Sequence, residues 1–187
     1  LRLQAESVAD PGERAALIGD IVHLEGEVTA LIEDVRRSES AEATICDLPA
    51  VVAQRMGFWR IVASAQQRTV AAEVDETTPL LVNLSAAEVL SVLDNLVQNV
   101  LTHTVAGVGF TVSTVSGPPQ LTIRDEGDGL PSTDVFDRGS SSGGSGLGLD
   151  IVRRVAEESG GDIMLGDGPG TTIVVRFGEP VSPTEAR

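Results

Sequence analysis

The chain has 187 residues, 41% of them hydrophobic, with a mean hydropathy of +0.11, enough to bury the core of one ordinary domain plus a smaller attachment. Its net charge of −15 argues against nucleic acid and against anionic membrane surfaces as partners, since both call for clustered Lys and Arg. A single cysteine, Cys46, excludes an internal disulfide and any multi-cysteine metal site and points to a reducing compartment.

No charged leader with an apolar run and no long apolar stretch occurs, so neither a signal peptide nor a membrane span is expected within these residues. The opening "LRLQAESVAD", without a methionine, fits a piece of a longer protein. It reads as the end of a helix, followed by Asp10-Pro11-Gly12 as a turn. Asp10 is an N-cap candidate, with Pro11 at the first helical position and Glu13 in the first turn. Leu17, Ile21, Leu24, Val28, Leu31 and Val35 then repeat with alternating steps of four and three, the seam of a coiled coil or long bundle. Residues 1–38 are thus expected to form an antiparallel helical hairpin, and one hairpin cannot cover such a seam, so self-association follows.

Residues 39–47 are polar and small and read as a linker. From Leu48 the texture changes. Residues 48–67 read as a helix, 69–75 and 79–84 as short strands, and 85–104 as a strong helix with a Ser85/Glu88 capping box. The apolar stripe of that second helix runs through Leu90, Leu93, Leu96, Val97, Val100 and Leu101. Strands at 108–116 and 119–126 join through Gly117-Pro118-Pro119; a helix from Leu147 ends at Gly160, and strands at 162–167 and 171–177 close the sheet. Residues 181–187 read as a frayed tail. This order lacks strict βαβ alternation and predicts an α+β fold, a two-layer sandwich with a mostly antiparallel mixed sheet and helices on one face.

The stretch "GGSGLGL" from Gly143 to Leu149 carries the first chemical signal. No lysine follows the last glycine, as a Walker A loop requires. Leu149 stands where a Rossmann fingerprint needs its third glycine, and no strand precedes the run. A slack linker would strand Leu147 and Leu149 in water. What remains is a loop whose glycines, Gly144, Gly146 and Gly148, bring backbone N–H groups to phosphate oxygens at a helix N-terminus.

"DEGDG", Asp125 to Gly129, ends a strand. It reads either as an acidic hairpin turn or as a carboxylate held to accept a hydrogen bond from an exocyclic amine beside a flat ring. Asn95 and Asn99 lie four apart on one helical face, off the apolar stripe. They are either ordinary exposed amides or oxygen ligands for a hard cation such as magnesium.

Taken in order, "LDNLVQNVLTHT", "DEGDG", "VFDRG", "GGSGLGL" and "GPGTT" resemble the N, G1, F, G2 and G3 boxes of the catalytic ATP-binding domain of sensor histidine kinases. The wider superfamily includes DNA gyrase and the mismatch-repair ATPases. The resemblance spans roughly residues 47–180, and the N-terminal hairpin resembles part of the dimerisation and phosphotransfer bundle of the same kinases. It implies the Bergerat-type ATP-binding fold over 48–180, with ATP and Mg2+ as ligands.

By that resemblance Asn99 is the magnesium ligand and Asn95 its phosphate-side partner. Asp125 reads the adenine amine, and Gly127, Gly129 and Leu130 shape the base pocket together with Thr171. His103, at a position often aromatic, stacks near the nucleotide or is a surface histidine. Phe136 packs the lid and Arg138 reaches phosphate. Gly144, Ser145, Gly146, Leu147, Gly148 and Leu149 form the phosphate-facing edge, with Ser140 to Gly143 as the lid's mobile tip, ordered by ATP. The hydrolysing ATPases carry a glutamate where Asn95 stands; an amide cannot take a proton, which favours phosphoryl transfer over hydrolysis.

Two departures stand out. Thr102 replaces a common lysine or arginine, and no histidine box is present, since His23 lies beside the seam as a surface residue. The phosphoacceptor histidine is therefore expected upstream of Leu1, so the chain alone has no catalytic residue of its own for autophosphorylation. The expected partners are a second copy, through the hairpin, and a response-regulator receiver domain, with no direct membrane contact by this piece. The expected location is cytoplasmic, as the intracellular part of a bacterial inner-membrane sensor. A regulatory or scaffold module with a degenerate nucleotide site is the alternative. A serine kinase of the anti-sigma type fits less well, since it would lack the heptad hairpin.

Overall fold

The computed structural model describes residues 45–129 and 147–179, all within the unit Ala43–Arg187. The hairpin of 1–38, most of the linker, the lid with Phe136, and the tail lie outside the described residues.

Chain order begins with a short strand, β1 (Cys46–Asp47), at the end of the segment read as linker. Helix α1 (Leu48–Ala65) follows at once, with Pro49 in its first turn, where no N–H partner is needed. Asp47 does not cap it. The Asp47 carboxylate instead accepts from the Leu80 N–H at 2.9 Å, tying β1 to β3 (Leu81–Val82) in a two-stranded antiparallel ribbon. The segment read as a strand at 79–84 thus pairs apart from the main sheet.

Helix α2 (Ala86–His103) starts on the expected capping box. The Ser85 N–H donates to Glu88 Oε2 at 2.7 Å and the Glu88 N–H donates to Ser85 Oγ at 3.2 Å, satisfying two donors that a helix start leaves bare. The buried face is broader than the sequence stripe: Val89 and Val92 join Leu93, Leu96, Val97 and Val100, while Leu90 and Leu101 stay half-buried. The reason is packing, because α2 meets α1, α3 (Leu147–Glu158) and the sheet at once. Arg55 on α1 grips Asp94 on α2 with two hydrogen bonds of 2.8 and 2.6 Å, and Trp59 Nε1 adds a third at 2.7 Å. This bidentate fork fixes the crossing of the two helices at the turn of α2 that carries Asn95.

The main sheet has five strands in the order β2-β4-β5-β7-β6. They are β2 (Val70–Glu73), β4 (Phe110–Val115), β5 (Gln120–Asp125), β6 (Asp162–Gly166) and β7 (Thr172–Arg176). Only β2 and β4 run parallel, joined by the crossover through α2; the other pairs are antiparallel. Alternation sends Phe110, Val112, Leu121, Ile123, Ile173 and Val175 into one core with the helices. Thr111, Ser113, Thr122 and Thr172 occupy the opposite face, half-buried. The period of two also places Asp125 on the core side, two steps beyond Ile123, and it is buried there.

Cys46 is half-buried and its thiol is pushed up to about 11, first by burial and then by Asp47 and Glu88. The folded chain should react with a thiol reagent at pH 8 far more slowly than the unfolded chain, because the thiolate is the nucleophile; equal rates would contradict the burial. In urea unfolding, Leu93→Ala should cost about 2–5 kcal/mol as a fully buried side chain. Ser85→Ala should cost about 1 kcal/mol, as a lost cap.

Candidate functional site

Asp125 is 5% exposed, and burial of a carboxylate requires donors. Two backbone N–H groups supply them to the same oxygen, Oδ1: Gly127 at 2.9 Å and Thr171 at 3.1 Å. The Asp125 N–H in turn donates to the Thr171 carbonyl at 2.9 Å. Asp125 Oδ2 takes no hydrogen bond among the described residues, so one carboxylate oxygen is oriented and the other left to accept from an incoming donor.

The glycines around it are close approaches. A Cβ on Gly127 would sit 3.0 Å from Asp125 Oδ1 and 3.4 Å from Thr104 Cγ2. Gly170, at φ +75, would place a Cβ on the Asp125 carbonyl oxygen, and Gly129, at φ +82, lies with its Cβ position 3.2 Å from the Gly170 carbonyl. Gly170 was missed as a site residue, although it stands within the "GPGTT" motif directly before Thr171. Its role depends on a carbonyl 45 residues away in sequence, which no local pattern reveals.

Helix α2 carries the second group. Asn95 is half-buried; its Nδ2 donates to the Ser91 carbonyl at 2.8 Å, which orients Oδ1. The Cβ position of Gly148, in the first turn of α3, is 3.1 Å from that Oδ1. Gly148 of the G2 box therefore packs against Asn95 of the N box, and a side chain there would force the Asn95 amide to shift by a few tenths of an ångström. Asn99, one turn further, is half-buried and its amide makes no hydrogen bond among the described residues. His103 follows at the last position of α2 and is exposed, as is Thr102. No group of three or more His, Cys, Asp or Glu able to hold a metal ion occurs among the described residues. A cation bound here would draw on amide oxygen, water and the ligand's own oxygens.

Helix α3 points its N-terminus at Asn95, and its partial positive charge favours an anion there. Leu149 packs against the core, so its side chain anchors the helix and only its backbone can face a ligand. Of the residues expected at the site, Asp125, Gly127, Gly129 and Thr171 come together around one carboxylate, and Asn95 meets Gly148. Leu130, Arg138, Gly144, Ser145, Gly146 and the side chain of Leu147 lie outside the described residues.

Residues 85–181 match the family described as histidine kinase-, DNA gyrase B-, and HSP90-like ATPase. Sensor histidine kinase YkoH of Bacillus subtilis is 25% identical over 177 residues, covering 88% of this chain and 38% of the relative. Sensor-like histidine kinase SenX3 of Mycolicibacterium smegmatis is 25% identical over 97% of this chain and 48% of its own length, so the chain spans less than half of either relative. Among solved structures, the mycobacterial sensor histidine kinase MprB aligns at 25% identity and a TM-score of 0.60, covering 74% of this chain and 100% of that one. The match to the family spans more than half of the chain. The chain belongs to the histidine kinase-, DNA gyrase B-, and HSP90-like ATPase family, with an ATP-binding domain of the sensor histidine kinase type.

Proposed function

We propose that the chain is the catalytic region of a two-component sensor kinase, binding Mg·ATP and transferring its γ-phosphoryl group to a histidine upstream of Leu1. From that imidazole the group passes to an aspartate of a response-regulator receiver domain. The observation that carries the reading is the buried Asp125 carboxylate, with Oδ1 held by two N–H groups and Oδ2 without a hydrogen bond among the described residues. That arrangement suits an adenine amine, which donates, and refuses a carbonyl, which cannot. Gly127, Gly129 and Gly170 let the two loops close tightly around that carboxylate.

At the other end of the ligand, Asn99 has a half-buried amide without a hydrogen-bond partner among the described residues, which suits a hard divalent cation. Magnesium, when bound, offsets phosphate charge and orients the phosphate oxygens. The backbone at Gly148 and the N-terminus of α3 stabilise the same anionic groups without a proton transfer. Asn95 supplies no base to activate water, so the chain holds ATP ready for a nucleophile brought from outside the domain.

Dimerisation through residues 1–38 and a place on the cytoplasmic side of a membrane-anchored sensor complete the proposal; both curated relatives bear sensor-kinase names. No helix among the described residues is long and apolar enough to cross a membrane. The exposed Thr102, without a cationic side chain for phosphate, favours a second reading, a regulatory module that binds ATP without transferring phosphate.

ATP titration by calorimetry tests the site. Asp125→Ala should lose about 10- to 100-fold in affinity, the value of a hydrogen bond to a charged group, and Asn99→Ala should lose the magnesium dependence of binding. Unchanged binding in both would remove the assignment. A chain extended upstream to include its histidine should acquire acid-labile phosphate from ATP; intact ATP binding without phosphate would favour the regulatory module.

A further inference from the structure

Arg68 is a charged residue that the proposed function leaves unused, and it is 6% exposed. A buried guanidinium is costly unless its donors are satisfied and its charge is answered. No carboxylate hydrogen-bonds to it among the described residues. Its donors instead reach Gln66 Oε1 at 2.8 Å, Thr104 Oγ1 at 2.6 Å, the Thr104 carbonyl at 2.8 Å, the Val108 carbonyl at 3.0 Å and the Leu101 carbonyl at 3.4 Å. The carbonyl acceptors belong to the end of α2 and the loop after it, where a helix leaves carbonyls bare and the dipole favours a cation.

The hub of this cluster is Thr104. Its hydroxyl donates to the Val100 carbonyl at 2.6 Å and accepts from Arg68, which fixes the side chain. Its methyl, Cγ2, is then held 3.4 Å from the Cβ position of Gly127, whose N–H holds Asp125 Oδ1. The loop is tied to the same turn by the Glu126 N–H donating to the Gly109 carbonyl at 3.0 Å. Charge links the ends of this chain of contacts as well. Burial pulls the Arg68 guanidinium below its ordinary value, and attraction to Asp125 opposes it.

We propose that Arg68 is a positioning residue for the base pocket: through Thr104 it sets the Gly127 turn that aims the Asp125 carboxylate, and so governs the preference for adenine over other bases. The inference rests on the reading of Asp125 as the base acceptor. A purely structural Arg68 would weaken all nucleoside triphosphates together. A positioning role weakens adenine selectively, because the triphosphate end is held by α2 and α3.

The test compares ATP with inosine triphosphate, which presents a carbonyl in place of the amine, in calorimetric titrations of the full chain with magnesium. Arg68→Lys keeps the charge but cannot span all five acceptors, and Thr104→Ser keeps the hydroxyl but removes the methyl over Gly127. Each should lower the ratio of ATP to inosine triphosphate affinity about fivefold to tenfold, the scale of one hydrogen bond, with inosine triphosphate affinity unchanged within about twofold. Thermal melting checks that each variant folds, and if Arg68→Lys does not, Thr104→Ser decides. A wild-type ratio in both variants, or a parallel loss of both nucleotides, would overturn the role of Arg68. A wild-type chain that binds ATP no better than inosine triphosphate would instead refute the Asp125 pocket itself.

Discussion

The carboxylate of Asp125 is the constraint on which the site depends. It stands at a core-facing step of β5, in line with Leu121 and Ile123, where an uncompensated charge costs several kcal/mol. Compensation comes from two loops far apart in sequence, through the N–H groups of Gly127 and Thr171. The loop before Thr171 can approach only because Gly170 carries no Cβ, and Gly127 eases the close approach on the other side. The geometry that makes the charge tolerable leaves Oδ2 without a hydrogen bond among the described residues, which is why the proposed base pocket centres on it.

Helix α2 organises the remainder. Its start is held by the Ser85 and Glu88 capping box, its middle by the Arg55 fork on Asp94, and its end by Arg68 around Thr104. Asn95 and Asn99 lie between these fixed points, one helical turn apart, with the first turn of α3 set against Asn95 at Gly148. A polar side chain at a ligand site works only when its rotamer and backbone are already decided. Here that support is distributed over α1, α2 and the segment before β2.

The division of labour along the nucleotide follows from the chemistry of each end. In the proposed site the base end would use a buried acceptor, Asp125, where one hydrogen bond discriminates well. The phosphate end would use amide oxygen, glycine backbone and a helix N-terminus, which accommodate charge and shape without acting as acid or base. In a protein of net charge −15, the proposed polyphosphate site would draw on local dipoles and a cation.

Much of this was legible in the sequence. Strand and helix types, the Ser85/Glu88 cap and the α+β order follow from periodicity and local patterning, because these depend on neighbours within a few residues; Asp125, Asn95 and Asn99 are singled out by the ordered boxes that resemble those of sensor histidine kinases. Tertiary structure alone decided what crosses the chain. It rotated the buried face of α2 toward Val89 and Val92, because three elements pack on it rather than one. It set Gly170 on the Asp125 carbonyl and Gly148 on Asn95, and it buried Arg68 under the end of α2. A glycine or an arginine looks alike in sequence whether it faces water or another backbone; only the folded chain supplies the neighbour that makes its size or charge matter.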